Sequence, residues 1–429
     1  MKYTPLPNDF FLANRGRFVQ EMKPNTVAVF QSNDLMPRSG DQFFPFRQNP
    51  DLYYLTGIDQ EETMLVLFPD CPRVEMRELL LIKRTNDHIA VWEGHKFTKA
   101  EASELSGVGK VLFADEAEVV LHELFLLAEG IYLNLNENDR FSTPVESRDA
   151  RYAARLHQLY PGHAWHRSAP ILKKLRMQKS QPELDALQVA IAVTGKAFRR
   201  VLGFVRPGVW EYEVEAEITH EFLRNRCTGH AYTPIIASGK NACVLHYVEN
   251  NRPCGDGDVL LMDFGGEYAN YAADLTRSIP VNGRFSTRQR KVYDGVLKVM
   301  QSARALLVPG NTLEEYHKEV GAEMEGVLRD LGLISRDDIE RQDKDKPAYK
   351  KYFMHGTSHH LGIDVHDVCL RYEPFAAGMV FTCEPGIYIP EEGLGIRLEN
   401  NILLTNQQPI DLFADIPIEA AEIESLMNP

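Results

Sequence analysis

Two aspartates stand at the ends of neighbouring apolar, β-compatible runs in LLMDFGGEYANYAADLTRSIP, and this segment constrains the chain more than any other. Runs of this type pair as a hairpin. With the turn centred between Tyr268 and Ala269, Asp263 faces Asp274 on one side of the sheet, with Cβ atoms about 4.5–5.5 Å apart. Leu260, Leu261, Met262 and Phe264 surround the pair, so two like charges are taken partly out of water. Either one carboxyl then keeps its proton or a cation sits between them. The alternative leaves Asp263 as a turn residue before Gly265 and Gly266, with Asp274 on the solvent side.

Further polar groups in apolar company follow downstream. MHGTSHHLGIDVHD holds His355, His359, His360 and His366, a cluster suited to metal binding or acid–base work. His355 and His359 have i, i+4 spacing but lack the glutamate of HExxH, so the usual zinc-protease helix is absent. Taken singly, each of these histidines reads as a surface or capping group. Glu384 ends the run Met379, Val380, Phe381 and precedes Pro385 and Gly386, a costly place for an acid without a partner. Arg397 and Glu399 lie two apart, on one strand face, where the guanidinium can orient a carboxylate by a forked hydrogen bond. A surface salt bridge is the other reading, and Ile396, Leu398 and Ile402 argue against it. Asp263, Asp274, His359, Glu384 and Glu399 together give four carboxylates and one imidazole. Four negative charges match two divalent cations, Mn²⁺ first, with Co²⁺, Zn²⁺ and Fe²⁺ as competitors.

The 429 residues, 44% hydrophobic, can bury one large core or two ordinary ones. Short β-rich runs at 26, 64, 78 and 131 alternate with helix-like stretches, which predicts an α/β N-terminal domain. Ser180, Gln181, Pro182 and Glu183 read as a helix start, and the domain boundary is placed at residue 174, giving domains 1–174 and 175–429. Beyond it, helices over 182–205, 211–226, 287–307 and 312–331 and strands near 233–238, 258–265, 271–280, 379–388 and 395–404 predict an α+β domain. The stretch 336–351, with six basic and five acidic residues, reads as a solvated loop. A net charge of −14 opposes phosphate binding, so no nucleic acid is expected. Six cysteines without a CxxC pair fit a reducing cytosol. The N-terminal MKYTPLPNDFF does not read as a signal peptide, and the apolar window 117–134 contains His122, Glu123 and Glu129, so a cytoplasmic protein with no membrane partner is expected.

The segments VLHYVEN (244–250), MDFGGEY with ADLTR (262–277), HGTSHHLGIDVHD (355–367), EPGIYI (384–389) and GIRLEN (395–400) resemble, in this order, the motifs of the pita-bread metallopeptidases, and among them aminopeptidase P, the Xaa-Pro aminopeptidases. FRQNPDLYYLTGIDQEETMLVL (46–67) looks like the N-terminal domain of the same family. The resemblance covers most of the chain. It implies a pita-bread catalytic domain, release of the N-terminal residue from peptides with proline in second place, and commonly a dimer or tetramer. It further implies that Asp263 binds one metal, that Asp274 and Glu399 bridge two, and that His359 and Glu384 complete the second. A bridging water or hydroxide is then the nucleophile, and Glu384 moves its proton. His246 and His366 are expected to bind substrate and the oxyanion, with His355 nearby, Asp41 close to the substrate amine and Trp92 along the cleft. For Asp41 an exposed loop position, and for Trp92 a core position, are the alternatives.

An Xaa-Pro bond has no N–H and a ring-restricted backbone, so it calls for a dedicated pocket. Relatives often carry glycine soon after the valine that follows His366 and Asp367; Cys369 stands there, and the segment 370–377 is short. Cys383 reads as a small buried residue without a catalytic task. Three rival readings share the fold: prolidase, which takes Xaa-Pro dipeptides; a peptidase-like binding module without catalysis; and a metal-free creatinase-like hydrolase. The five filled ligand positions argue against the last two.

Overall fold

Thr26–Gln31 is buried along its whole length, as a strand covered on both faces must be. The computed structural model describes residues 2–140, 144–343 and 346–428 and divides the chain into two units, one spanning Pro5–Arg176 and the other the first four residues with everything from Met177 on. In the first unit Thr26–Gln31 lies inside a six-stranded sheet ordered Lys110–Phe113, Glu78–Ile82, Met64–Leu67, Thr26–Gln31, Gly130–Leu133, Ala164–Arg167. Met64–Leu67 is antiparallel to both neighbours, while the remaining pairings are parallel. The helices Ala117–Leu127 and Arg148–Leu159 supply Leu124, Phe125 and Leu156 to a core that also holds Val27, Val66, Leu79 and Ile131. This is the expected α/β arrangement.

The second unit opens with the helix Gln181–Phe204, which starts where Ser180 predicts it: the Ser180 N–H and Oγ both donate to Glu183 Oε2 at 2.8 Å. Glu211–Arg224, Thr287–Leu306 and Leu313–Asp330 follow the expected helical segments. They bury Val201, Val214, Ile218, Val296 and Met324 against Met262, Phe264, Phe381 and Ile396 of the strands in one core. The segment expected as a loop over 336–351 instead carries the short helix Arg336–Glu340 and a 3₁₀ turn at Ala348–Lys351, and residues 344 and 345 lie outside the described ones. Capping of Arg336–Glu340 by Ser335, whose Oγ accepts from the Asp338 N–H at 3.1 Å, explains the difference.

The sheets of this unit are short because its long strands are interrupted. The expected strand 271–280 is two, Tyr271–Ala272 and Leu275–Pro280, belonging to different sheets. The run 379–388 splits into Val380–Cys383 and Gly386–Ile389, and 395–404 into Leu394–Arg397 and Asn400–Leu403. Proline accounts for one break, since Pro385 has no N–H for a ladder. Gly265 accounts for another, where the chain passes from Val259–Phe264 to Gly266–Tyr268: a Cβ there would lie 1.7 Å from the Ala273 carbonyl oxygen.

The hairpin register also differs from the expected one. The two-residue turn is Ala269 and Asn270, both with positive φ, as this tight turn requires and as asparagine tolerates well. Tyr268 therefore faces Tyr271, and Asp263 faces Thr276 rather than Asp274. Asp274, two residues before Thr276, is a diagonal neighbour of Asp263 on the same side.

Candidate metal centre

Three of the strand breaks in the second unit each hold an acid. Asp274 sits between Ala272 and Leu275, Glu384 between Cys383 and Gly386, and Glu399 between Arg397 and Asn400. Released from ladder pairing, these backbones are held by other elements. The Glu384 N–H donates to the Thr357 carbonyl at 2.9 Å, the Glu399 N–H to the Thr276 carbonyl at 3.0 Å, and the Asp274 N–H to Asn401 Oδ1 at 3.1 Å. Leu398 N–H donates to the Pro385 carbonyl at 3.2 Å, which ties two breaks together.

Asp274, His359 and Glu399, all buried, each offer one ligand atom, and these atoms lie within 4.8 Å of one another. His359 Nδ1 lies 3.0 Å from the His360 carbonyl, which can only accept, so this nitrogen carries the proton. Nε2 then faces Asp274 Oδ2 at 3.5 Å and Glu384 Oε1 at 3.6 Å. Asp263 joins the group through Tyr232, whose hydroxyl is 2.6 Å from both Asp263 Oδ1 and Asp274 Oδ1. One phenolic proton cannot satisfy two carboxylate oxygens. Glu399 accepts from Thr276 Oγ1 at 2.7 Å with Oε2, while its buried Oε1 has no hydrogen-bond partner.

The electrostatics follow from this crowding. Burial first, and then the Asp263 charge, holds the Asp274 carboxyl well above the usual carboxylate range. Burial with Asp274 and Asp263 does the same to Glu399, and burial with Glu399 and Asp274 to Glu384. Carboxyls whose charged forms are disfavoured by burial and by one another, an orphaned carboxylate oxygen and an imidazole presenting its unprotonated edge are a donor set suited to divalent cations.

Arg397, only 4% exposed, is not paired with Glu399 as expected. It donates to Asp263 Oδ2 through Nη2, to the Tyr388 hydroxyl through Nη1 at 2.9 Å and to Thr276 Oγ1 through Nε at 3.2 Å. The break at Leu398 and Glu399 ends the alternation on which a shared strand face depends. Tyr388 in turn lies 2.7 Å from His355 Nε2, and His355 Nδ1 lies 2.7 Å from the Gly356 carbonyl. Since that carbonyl takes the Nδ1 proton and the Tyr388 oxygen already accepts from Arg397, Tyr388 donates to His355. Burial and the Arg397 charge push the His355 pKa down to about 3, consistent with a neutral ring.

The four clustered histidines thus part ways. His359 faces the acids, His366 packs its ring edge on at 4.2 Å between centroids, and His355 lies 3.9 Å from Glu384 Oε2. His360 turns to Phe381, with ring centroids 4.1 Å apart, and burial lowers its pKa to about 3. The segment is not helical, so the i, i+4 pairing of His355 and His359 does not arise. His246 is exposed on the segment after Ile235–Ser238, near enough to His355 for its charge to act there. Asp41 and Trp92 belong to the other unit. Asp41 is exposed between the paired strands Pro37–Ser39 and Gln42–Phe43, and Trp92 is 79% exposed on the helix Asp87–Glu93, which rules out the core position for it. Cys383 is buried beside Glu384 with its sulfur 3.7 Å from the Tyr316 hydroxyl.

Sequence reasoning missed Tyr232, Thr276 and Tyr388. Thr276 was legible, being two residues after Asp274 and on its side of the strand. Tyr232 carried no local signal, because its partners lie 31 and 42 residues away.

The model of metallopeptidase family M24 matches residues 185–406, and that of the aminopeptidase P N-terminal domain matches residues 11–132. A Xaa-Pro aminopeptidase of Haemophilus influenzae is 35% identical over 99% of this chain and 98% of its own length, and one of Escherichia coli is 35% identical over 97% of each. Among solved structures, the aminopeptidase PepP of Pseudomonas aeruginosa superposes with a TM-score of 0.90 at 30% identity, over 99% of this chain and 98% of that one. Escherichia coli aminopeptidase P with the inhibitor Pro-Leu gives 0.87 at 32% identity over 99% of each. With more than half of its length matched by the catalytic-domain model and full-length relatives above 30% identity, the chain belongs to metallopeptidase family M24.

Proposed function

We propose that the chain is an aminopeptidase that uses two divalent cations to release the N-terminal residue from peptides with proline in second place. The observation that carries this reading is the meeting of Asp274, His359 and Glu399 around one point, with Asp263 and Glu384 at its margin. Those five residues would hold the ions, four carboxylates balancing two double charges. Mn²⁺ suits the oxygen-rich set best, and a Zn-substituted form is among the solved structures of the Escherichia coli relative. When bound, such cations would lower the pKa of a water held at the site and polarise the scissile carbonyl.

The remaining tasks fall to the protein. Glu384 takes the proton of the attacking water and hands it to the departing prolyl nitrogen, which has none of its own. His246 and His366 donate to the carbonyl oxygen as it gains charge, each contributing about 3–4 kcal/mol. Arg397 holds Asp263 in place, and Tyr388 holds His355 beside Glu384. Residues 1–174 and 175–429 form the N-terminal and catalytic domains of this reading, and the working form is a dimer or tetramer. A cytoplasmic location fits a chain whose six cysteines include no CxxC pair. Among the described residues no helix is long and apolar enough to cross a membrane.

Mass spectrometry of Xaa-Pro-Yaa and Xaa-Pro incubated with Mn²⁺-loaded protein tests the proposal. Loss of the first residue from the tripeptide is expected. Cleavage confined to the dipeptide would make the chain a prolidase, and inertness toward both, without bound metal, a binding module.

A further inference from the structure

Glu211, the first residue of the helix Glu211–Arg224, is fully buried and has four neutral donors for its carboxylate. Oε1 accepts from the Ser238 N–H at 2.8 Å and Asn241 Nδ2 at 3.0 Å; Oε2 accepts from the Tyr247 hydroxyl at 2.7 Å and the Arg252 N–H at 2.9 Å. Its own N–H donates to the Arg252 carbonyl at 2.9 Å. One turn later Glu215 accepts from Asn250 Nδ2 at 2.8 Å, and Asn250 Oδ1 accepts from the Ile236 N–H at 3.0 Å. A single helix end therefore grips both feet of the segment 238–252 and the tyrosine beside its tip. The tip itself, with Val244, His246 and Val248, is exposed.

A buried carboxylate is tolerable only with its lone pairs filled, and here the filling groups all belong to this segment. Burial and the Glu211 carboxylate raise the Tyr247 pKa to about 12, so the hydroxyl keeps the proton it donates. A core in need of packing alone would be served better by an apolar side chain. We propose that Glu211 is a positioning residue for the reaction: it fixes the 238–252 segment so that an otherwise exposed His246 is presented to the substrate carbonyl. This rests on the role given to His246 above.

The test is a double-mutant cycle on the Mn²⁺-loaded enzyme. Glu211→Gln keeps the shape but turns an amide donor toward the donors of the segment. The expected result is a fall in kcat of about 10- to 100-fold, the scale of a misplaced catalytic group, with KM and metal content little changed. In the His246→Ala background the same substitution is expected to change kcat less than about two-fold. An equal loss in both backgrounds, or a wild-type kcat in Glu211→Gln, would overturn the proposal. If Glu211→Gln does not fold, Tyr247→Phe, which removes one of the four donors, carries the same cycle. Hydrogen exchange at the Ser238 and Arg252 amides reads the grip without turnover: it is expected to accelerate in Glu211→Gln, and unchanged exchange would count against the clamp. A wild-type kcat in His246→Ala alone would instead bring the inference down through the role of His246, leaving the exchange result standing.

Discussion

His359 points the unprotonated edge of its ring at Asp274 Oδ2 across 3.5 Å, longer than a normal hydrogen bond and short enough for both atoms to serve one cation. With the neighbouring carboxyls held above their usual range, cation binding must expel protons. Titration of chelator-treated protein with Mn²⁺ in buffers of different ionisation enthalpy should show net proton release, and activity lost on chelation should return with the metal. Equal heats in all buffers would contradict the proton competition.

Glu399→Ala should reduce turnover by more than about 100-fold, beyond the 10- to 100-fold typical of an outer-sphere partner, because the proposed function makes Glu399 a metal ligand. The fold should survive, as Glu399 lies outside the ladders. Near wild-type kcat with full metal content would remove it from the ligand set.

Tyr232→Phe deletes the hydroxyl shared by Asp263 and Asp274. Metal affinity should weaken by about 10- to 100-fold with a smaller effect on folding, measured as the Mn²⁺ concentration that restores half activity. An unaltered value would mean that the two carboxylates orient themselves.

Arg397 donates in three directions from a buried position, to Thr276, Tyr388 and Asp263, and of these three acceptors Asp263 is the charged one. Arg397→Met in the metal-free protein should cost about 3–5 kcal/mol, the scale for leaving one member of a buried pair alone. Lysine should not rescue it, since one ammonium cannot span the fork. Urea unfolding of the three proteins checks both statements.

His230 supplies a pH dependence away from the metal centre. Its Nε2 is 2.8 Å from Thr219 Oγ1, its buried Nδ1 has no partner, and burial pushes its pKa down to about 4. The unfolded chain binds the proton at about pH 6.5, before the folded one does, so stability is intact above that pH and drains as pH falls toward 4. The stability of wild type relative to His230→Gln should shrink by about 2 kcal/mol between pH 7.5 and 5. A constant difference would show that the ring titrates alike in both states.

How much of this was legible depends on whether the deciding contacts are local. Ser180, the apolar periodicity of the long helices and the apolar runs at 26, 64, 78 and 131 announce their elements, because capping and amphipathicity act within a few residues. The acids announced themselves by their apolar company. What their neighbourhood could not say was that the strands stop at them. The register error at Ala269 and Asn270 came from reading apolar matching without the backbone demand of the turn. The exchange of Glu399 for Asp263 as the Arg397 partner, and the arrival of Tyr232, depend on chain segments more than a hundred and more than thirty residues apart, which no local pattern encodes.

Because Asp274, Glu384 and Glu399 occupy the gaps between strands, three of the four acids stand outside the ladders that carry the fold, while Asp263 lies within one. At those three positions scaffold and reagent are therefore separable: lengthening or shortening one of these acids changes how far it reaches without unpicking a single sheet, and metal preference becomes adjustable on a frame that stays put.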